Sequence, residues 1–307
     1  MILIQIALLA VGFLMLVKGA DWFVDGSAGI AKKMGIPQLV IGLTIVAMGT
    51  SAPEAAVSIN ASLKGNSGIA IGNVVGSNIL NILIILGISA LLSTIAIQRS
   101  TLRYEMPYMI FVTIILIVLG MTGEYVTRAE GVILWVLFLV YLAYLFRLAK
   151  QGAEEDDTED RSIIKLLINM IGGGVIVVWG SDITVDSATQ IAQMIGLSER
   201  FIGLTIVALG TSLPELVTSV VAAKKGNADI AIGNIVGSNI FNILFVIGTA
   251  AIIAPVIYDA AFLIDGIIAV LAGVLLWVSV LKTRSLRKPW GIVMLLCYLA
   301  YLVYLLV

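Results

Sequence analysis

The sequence predicts an all-α integral membrane protein with ten transmembrane helices, arranged as two inverted-topology repeats of five helices each. Three observations support this fold class. The 307 residues are 60% hydrophobic and only 12% charged, apolar stretches recur from one end to the other, and one 46-residue segment occurs twice. A soluble domain of this length needs more charge on its surface, so the soluble classes are excluded.

Ten apolar stretches are long enough to cross the hydrocarbon core of a bilayer, which is about 30 Å thick and needs about 20 residues of helix. They cover residues 3–29, 38–62, 69–93, 105–121, 130–149, 162–190, 201–223, 229–254, 261–281 and 289–306. We therefore expect a multi-pass protein of the cell membrane, with the lipid bilayer as its surroundings.

The loops between these stretches differ in charge. If the loops are numbered after each span, the odd-numbered loops hold 14 Lys and Arg residues and the even-numbered loops hold 3. Because cytoplasmic loops are enriched in Lys and Arg, the odd loops are predicted to be cytoplasmic. Both the N-terminus and the C-terminus are then predicted to lie outside.

The chain divides into two halves around an acidic segment. Residues 1–152 form the first predicted repeat, 153–161 an acidic cytoplasmic linker, and 162–307 the second repeat. The linker contains EEDDTED at 154–160. Runs of like charge are typical of solvated segments.

The internal repeat is the central feature of the sequence. Residues 42–87 align without a gap with residues 203–248, at an offset of 161, with 30 identical residues in 46 pairs. The first copy begins in span 2 and the second in span 7. Since five spans is an odd number, the two copies cross the membrane in opposite directions, which is the architecture of many secondary transporters.

Each copy contains the motif G-T-S-x-P-E inside an apolar span, at 49–54 and 210–215. The prolines Pro53 and Pro214 remove a backbone donor, so a break in each helix and freed carbonyl groups are expected. Ser51 and Glu54 also fit a capping box, an alternative reading of the same motif. A capping box does not explain an acidic residue at mid-span, which costs about 2.5–3.5 kcal/mol. Cation binding by Glu54 and Glu215 is therefore predicted.

The second part of each copy reads G-N-x-V-G-S-N-x-x-N, in spans 3 and 8. Ser77 and Asn81 are four residues apart, as are Ser238 and Asn242, so each pair shares one helical face. These four side chains are candidate ion ligands. For the other asparagines, hydrogen bonding between helices is at least as plausible as ion contact; they are Asn73, Asn78, Asn234 and Asn239. Broken helices are predicted in spans 3 and 8 as well as in spans 2 and 7.

The candidate ligands are carboxylates, hydroxyls, amide oxygens and backbone carbonyls. Such hard oxygen donors suit Ca²⁺ or Na⁺ and not the softer transition metals. Away from the loops and the span ends, Lys18 is the one basic residue of the predicted spans, and it is expected to pair locally with Asp21. An anionic substrate therefore has no partner there. No cofactor, nucleic-acid partner or protein partner is indicated.

At these motifs the chain resembles the calcium/cation antiporter superfamily, and specifically its sodium/calcium exchanger branch. The resemblance covers the ten spans, both halves and both alpha-repeat motifs, GTSAPE…GNVVGSNILN and GTSLPEL…GNIVGSNIFN. It implies a transporter and not an enzyme. It also implies alternating access, in which two tilted outer helices, here spans 1 and 6, slide against the other eight.

The resemblance implies roles for individual residues. Calcium would be bound by Glu54, Glu215 and the carbonyls of Thr50 and Thr211. Two flanking sodium sites would use the Ala47 carbonyl, Ser51, Ser238 and Glu215 on one side, and the Ala208 carbonyl, Ser212, Ser77 and Glu54 on the other. Asn81 and Asn242 would line the central cavity.

The two central asparagines bear on the coupling ion. Proton/calcium relatives tend to carry Gln at both positions, and potassium-dependent relatives carry Asp where Asn242 stands. The combination Asn81 and Asn242 favours exchange of Ca²⁺ for Na⁺ without potassium. A third Na⁺, which the resemblance implies, would make this exchange electrogenic. A Ca²⁺/H⁺ antiporter remains the main alternative, because the glutamates could carry protons. A cation channel and an intramembrane hydrolase are weaker alternatives. A hydrolase would need a nucleophile with a base, or a metal with histidine ligands, and the chain has no histidine and one cysteine, Cys297.

Overall fold

The computed structural model describes residues 2–64, 68–123, 125–150, 161–195, 208–259 and 261–306. All but the last residue of the predicted acidic linker at 153–161 lies outside these residues. So does the first part of predicted span 7.

The first half of the chain is built from long helices with three π-helical segments. Helix α1 spans Ile2–Lys33, and helices α2 (Gln38–Ile41), α3 (Ala47–Thr50) and α4 (Ala52–Leu63) follow, with a π-helical segment at Gly42–Val46. Helices α5 (Gly68–Leu80) and α6 (Gly87–Leu92) flank the π-helical segment Asn81–Leu86. Strand β1 (Ile95–Ala96), the π-helical segment Thr101–Glu105, α7 (Met106–Met121), strand β2 (Tyr125–Val126) and α8 (Arg128–Lys150) complete this half.

The second half repeats this order. Helix α9 spans Ile163–Met194, and α10 (Ala208–Thr211) and α11 (Leu213–Lys224) are separated by one residue. Helices α12 (Ala228–Phe241) and α13 (Gly248–Ile253) flank the π-helical segment Asn242–Ile247. Strand β3 (Val256–Ile257), α14 (Ala261–Val280), strand β4 (Ser285–Leu286) and α15 (Lys288–Leu306) follow.

The predicted all-α membrane class is confirmed. Among the described residues, eight continuous helical stretches are long and apolar enough to cross a membrane, and the bent pair Gln38–Thr50 and Ala52–Leu63 makes a ninth. The tenth predicted span, 201–223, is described only from Ala208 onward.

The predicted breaks in spans 2 and 7 lie where the prolines place them. The helical stretches Gln38–Thr50 and Ala52–Leu63 meet at an angle of 51°, and the residue between them, Ser51, has φ −81° and ψ 8°. Ser212 takes the same role between α10 and α11, with φ −91° and ψ 6°. Proline is found within the first turn of the second helix in both cases, where its missing N–H is not needed.

The prediction of broken helices in spans 3 and 8 is wrong. Each span is continuous, over Gly68–Leu92 and Ala228–Ile253. Each contains a π-helical segment instead, and both segments begin at the equivalent asparagines Asn81 and Asn242. Neither span contains proline, so no steric clash forces a break. π-Helical turns are frequent at functional sites.

The two longest helices, α1 and α9, pack closely on each other in antiparallel directions. Gly12 lies against Gly180 and Thr184, whereas Gly26 lies against Leu166 and Met170. Higher residue numbers on α1 therefore meet lower numbers on α9, as an inverted repeat requires. Small residues allow this close contact of two membrane helices.

Two short antiparallel strand pairs join the halves to each other. Strand β1 pairs with β4, and β2 pairs with β3. An offset of 161 residues relates β1 to β3 and an offset of 160 relates β2 to β4, so the two pairs are equivalent. Each half supplies one strand to each pair.

Spans 3 and 8 form the centre of the molecule. Their most apolar windows are 78% and 83% buried, whereas those of α1, α8 and α9 are 22% buried. The G-N-x-V-G-S-N-x-x-N motifs therefore lie on the most buried of these helices.

The contact between α1 and α9 generates a prediction on two neighbouring glycines. A Cβ atom at Gly173 would lie 2.5 Å from the Phe23 nitrogen and 2.7 Å from the Gly19 oxygen, whereas one at Gly172 would meet nothing within 4 Å. Gly173→Ala should therefore destabilise the protein by about 1–3 kcal/mol through overpacking. The matched control Gly172→Ala should be neutral or slightly stabilising, because alanine favours the helix. Thermal unfolding in detergent measures both, and equal stability of the two variants would contradict this packing.

Candidate cation site

Two buried glutamates lie at the centre of the molecule, one from each repeat. Glu54 is 1% exposed and Glu215 is 0% exposed. Both belong to the first turn of the helix that follows a proline break. The break thus delivers a carboxylate from each half into the interior.

Serines from opposite repeats hold the two carboxylates. Ser51 donates a hydrogen bond of 2.7 Å to Glu215 Oε1, and Ser212 donates one of 3.1 Å to Glu54 Oε1. The two bonds are reciprocal, as they would be about a two-fold axis between the repeats. The capping box considered for Ser51 and Glu54 does not form, since neither serine caps its own helix. Each serine hydroxyl is bound to the other repeat instead.

Two asparagines fasten the backbone of the glutamates. Asn73 donates to the Glu54 carbonyl at 3.2 Å and to Ser58 at 2.9 Å. Asn234 donates to the Glu215 carbonyl at 3.4 Å and to Ser219 at 2.9 Å. These asparagines therefore connect helices, which is one of the two roles that the sequence left open. Ser58 and Ser219 were not predicted; both are part of the repeat and could have been found from their identity at offset 161.

The central asparagines form a ring between spans 3 and 8. The amides of Asn78 and Asn239 each donate to the other's backbone carbonyl at 3.1 Å. Asn81 donates to the Asn239 side-chain oxygen at 2.9 Å, and Asn242 donates to that of Asn78 at 3.2 Å. Because the amide nitrogens are used in these bonds, the orientation of each side-chain oxygen is fixed.

The threonines and the freed carbonyls have different partners in the two halves. Thr50 donates to Asn234 Oδ1 at 3.0 Å, whereas the buried Thr211 hydroxyl has no hydrogen-bond partner among the described residues. The carbonyl of Gly210, which cannot bond to Pro214, accepts a hydrogen bond of 2.8 Å from Ser181. Side chains thus replace some of the bonds that proline removes.

The remaining predicted ligands lie on the same elements. Ser238 donates to the Ala47 carbonyl at 3.4 Å, and the Ser51 amide donates to the same carbonyl at 3.0 Å. Three predicted ligands of one flanking site, Ala47, Ser51 and Ser238, therefore lie in contact. Ser77 is 5% exposed on α5. Ala208 begins α10.

Besides the Thr211 hydroxyl, four buried carboxylate and amide oxygens at this site have no hydrogen-bond partner among the described residues. They are Glu54 Oε2, Glu215 Oε2, Asn81 Oδ1 and Asn242 Oδ1. An unpaired buried oxygen costs free energy comparable to a lost hydrogen bond or more. No Lys or Arg of the described chain forms an ion pair with either glutamate. Two carboxylates and two amide oxygens form a donor set that a hard cation would satisfy.

A cavity of about 490 Å³ lies against one side of this site. It is lined by residues of α4, of α9 and of the C-terminal end of α10. They include Pro53, Ala56, Asp182, Asp186, Gly210 and Thr211. The equivalent region of the other half is packed. There α11 contacts α1, and Leu213, Val217 and Val221 cover Leu16 and Ala20. The two halves, similar in sequence, therefore pack differently.

An ion pair that the sequence did not predict lies on the packed side. Lys225 Nζ is 2.7 Å from the carboxylate of Asp21 and 2.7 Å from that of Asp25. Partial burial favours the neutral amine, but hydrogen bonds and charge from the two aspartates raise the pKa of Lys225. The predicted local pair of Lys18 with Asp21 is wrong, because Asp21 bonds to this lysine of the other repeat.

The family model described as "Sodium/calcium exchanger protein" matches residues 4–147 and 165–307. A putative antiporter CaxA from Alkalimonas amylolytica is 40% identical over 95% of each chain. The sodium/calcium exchanger MaX1 from Methanosarcina acetivorans is 31% identical over 99% of each chain.

Solved structures give the same result. The sodium-calcium exchanger NCX_Mj, in a crystal soaked with 10 mM Na⁺ and zero Ca²⁺, superposes with a TM-score of 0.87, at 32% identity and over 99% of each chain. A second structure of that exchanger, soaked with 2.5 mM Na⁺ and 0.1 mM Sr²⁺, has a TM-score of 0.88. Fold, buried acidic site and sequence agree, and the chain belongs to the sodium/calcium exchanger family of membrane transporters.

Proposed function

We propose that this protein exchanges Ca²⁺ for Na⁺ across the cell membrane by alternating access, in an electrogenic and potassium-independent reaction. The observation that supports it most directly is the pair of buried glutamates, each with one unpaired oxygen and neither with a basic partner in the described chain. The transported ions are its substrates, and no resident cofactor takes part.

The charge of the site favours this pair of ions. Two carboxylates balance one Ca²⁺ or two Na⁺, so the same site can accept either load without a net charge in the apolar interior. Glu54, Glu215 and the carbonyls of Thr50 and Thr211 are the proposed calcium ligands. A third Na⁺ would then move one net positive charge in each cycle.

Two flanking sodium sites are proposed on either side of the glutamates. One uses the Ala47 carbonyl, Ser51, Ser238 and Glu215; its hydroxyl groups already bond to Glu215 and to the Ala47 carbonyl. The other uses the Ala208 carbonyl, Ser212, Ser77 and Glu54. Asn81 and Asn242 contribute their amide oxygens to the central cavity.

The proposed movement is a sliding of α1 and α9 against the rest of the molecule. The backbones of these two helices touch along their glycines, so they are expected to move together. The other spans belong to two inverted repeats joined by the paired strands. With the odd loops and the linker at 153–161 in the cytoplasm, the cavity beside Thr211 opens to the outside.

Replacement of either glutamate tests the site. Glu54→Gln and Glu215→Gln should each reduce Ca²⁺ flux into proteoliposomes to background, because one negative charge no longer balances the divalent ion. Glu105→Gln is a matched control, since Glu105 is also 1% exposed but hydrogen-bonds to Tyr144 outside the site. It should retain transport. Near wild-type flux in either site variant, with the protein folded, would remove that glutamate from the mechanism.

Separate ion gradients test the coupling. Proteoliposomes loaded with Na⁺ should accumulate Ca²⁺ without potassium, and an inside-positive potential should accelerate uptake by driving the excess Na⁺ charge out. A neutral amide does not take up a proton in the physiological range, so Asn81 and Asn242 cannot serve as proton carriers. Protons should therefore inhibit by neutralising the glutamates. Accumulation driven by a pH gradient alone, with no effect of sodium, would replace this assignment by Ca²⁺/H⁺ exchange.

Site-directed labelling tests the orientation. In a Cys297→Ser background, a cysteine at Lys282 should react with an impermeant thiol reagent only from the cytoplasmic side. A cysteine at Gly123, where a side chain would meet nothing within 4 Å, should react only from outside. Inside-out and right-side-out vesicles supply the comparison. The reverse pattern would invert the topology and leave the fold unchanged.

A further inference from the structure

The ion pairs of Lys225 have an equivalent in the sequence that is not formed in the structure. At offset 161, Lys225 corresponds to Lys64, and Asp21 and Asp25 correspond to Asp182 and Asp186. Each repeat thus carries one lysine at the end of its proline-broken span and two aspartates, four residues apart, on its long first helix. Residues at this spacing share one face of a helix.

One of these two groups of charges is assembled. Lys225 bridges both aspartates of α1 at 2.7 Å, and it also donates to the Asp21 carbonyl at 3.0 Å. Lys225 follows α11, so the bond connects the proline-broken span of the second repeat to a helix of the first repeat. On this side Val217 and Leu213 are packed against α1.

The equivalent group, formed by Lys64, Asp182 and Asp186, is not assembled. Lys64 is exposed and has no ion-pair partner among the described residues. Asp182 and Asp186 are exposed on α9 and line the cavity of about 490 Å³. Here α4 stands apart from α9, whereas α11 contacts α1. Because α1 and α9 are antiparallel, the two groups lie towards opposite ends of this helix pair.

We propose that these six residues are two alternating ion-pair latches, one for each side of the membrane. When α1 and α9 slide, Lys225 leaves Asp21 and Asp25, and Lys64 pairs with Asp182 and Asp186. The state seen here is latched at Lys225 and open at Lys64. The sliding exchanges one set of bonds for an equivalent set, so the two states stay close in free energy and both remain populated.

The open latch has an electrostatic consequence for its own cavity. With Lys64 withdrawn, two carboxylates line the cavity beside Pro53 and Thr211, which is the proposed entrance to the glutamates. A negative entrance raises the local concentration of cations. When the latch closes, the lysine offsets one of these two negative charges as the entrance is sealed. These residues position the helices and do not bind the transported ion in the central site.

A pair of cysteine reporters tests the latches without transport. In the Cys297→Ser background, Val217→Cys lies on the packed side and its equivalent, Ala56→Cys, lines the cavity. In purified protein in detergent, both sides are accessible to a soluble maleimide. Ala56→Cys should react quickly and Val217→Cys slowly.

The charge variants should change the maleimide labelling rates of the two cysteine reporters in opposite directions. Lys225→Gln should accelerate labelling of Val217→Cys and slow that of Ala56→Cys, by about three- to tenfold, the range expected for partly exposed ion pairs. Lys64→Gln should leave Val217→Cys at or below its parent rate. Lys225→Arg, which keeps the charge, should restore protection of Val217→Cys.

The neighbouring Lys224→Gln is the matched control, because Lys224 is exposed and forms no ion pair among the described residues. If Lys225→Gln is unstable, the double variant Asp21→Asn and Asp25→Asn should give the same acceleration. The proposal fails if Lys225→Gln labels like Lys224→Gln, or if Lys64→Gln exposes Val217→Cys equally. The inference rests on alternating access, but the assay needs no ion, so failure of the latches and failure of sodium/calcium exchange are separate results.

Discussion

The structure depends on two carboxylates in an apolar interior that have no basic partner among the described residues. Like charges buried near each other are costly, and their cost falls when each accepts hydrogen bonds. Here the hydroxyl that bonds to each glutamate comes from the opposite repeat, through Ser51 and Ser212. Neither repeat can stabilise its own glutamate in this way. The proline breaks, the asparagines that fasten the glutamate carbonyls and the contact between repeats all serve this arrangement.

Much of the fold and site could be predicted because duplication makes the important residues visible twice. The spans follow from hydropathy, and Glu54 and Glu215 follow from an acidic residue that recurs at mid-span. Other features depend on three-dimensional contacts that the motif does not contain. A serine three residues before a glutamate fits a capping box, yet the hydroxyl finds a better acceptor across the repeat. Span 3 has polar residues like span 2, but without proline it accommodates Asn81 in a π-helical turn and continues.

The difference between the halves could not be predicted from the sequence at all. The repeats are so similar that any local argument gives both the same structure. The packed contact of Val217 with α1 and the cavity beside Ala56 are two solutions for equivalent positions. Such a difference has to arise from the position of α1 and α9 relative to the other helices. A chain with two equivalent halves in different conformations shows, in one structure, two geometries that the same motif can adopt.

The short strands have a consequence for the origin of this architecture. An isolated strand exposes unpaired backbone groups, which a neighbouring strand must satisfy. Here β1 finds its partner in β4 and β2 in β3, so both strands of one half are completed by the other half. A free-standing half would have to obtain the same bonds from a second copy of itself, inserted upside down. The two halves are thus arranged like the subunits of a covalently fused antiparallel dimer, and before gene duplication the ancestral half would have needed a second copy in the opposite orientation to complete its strands.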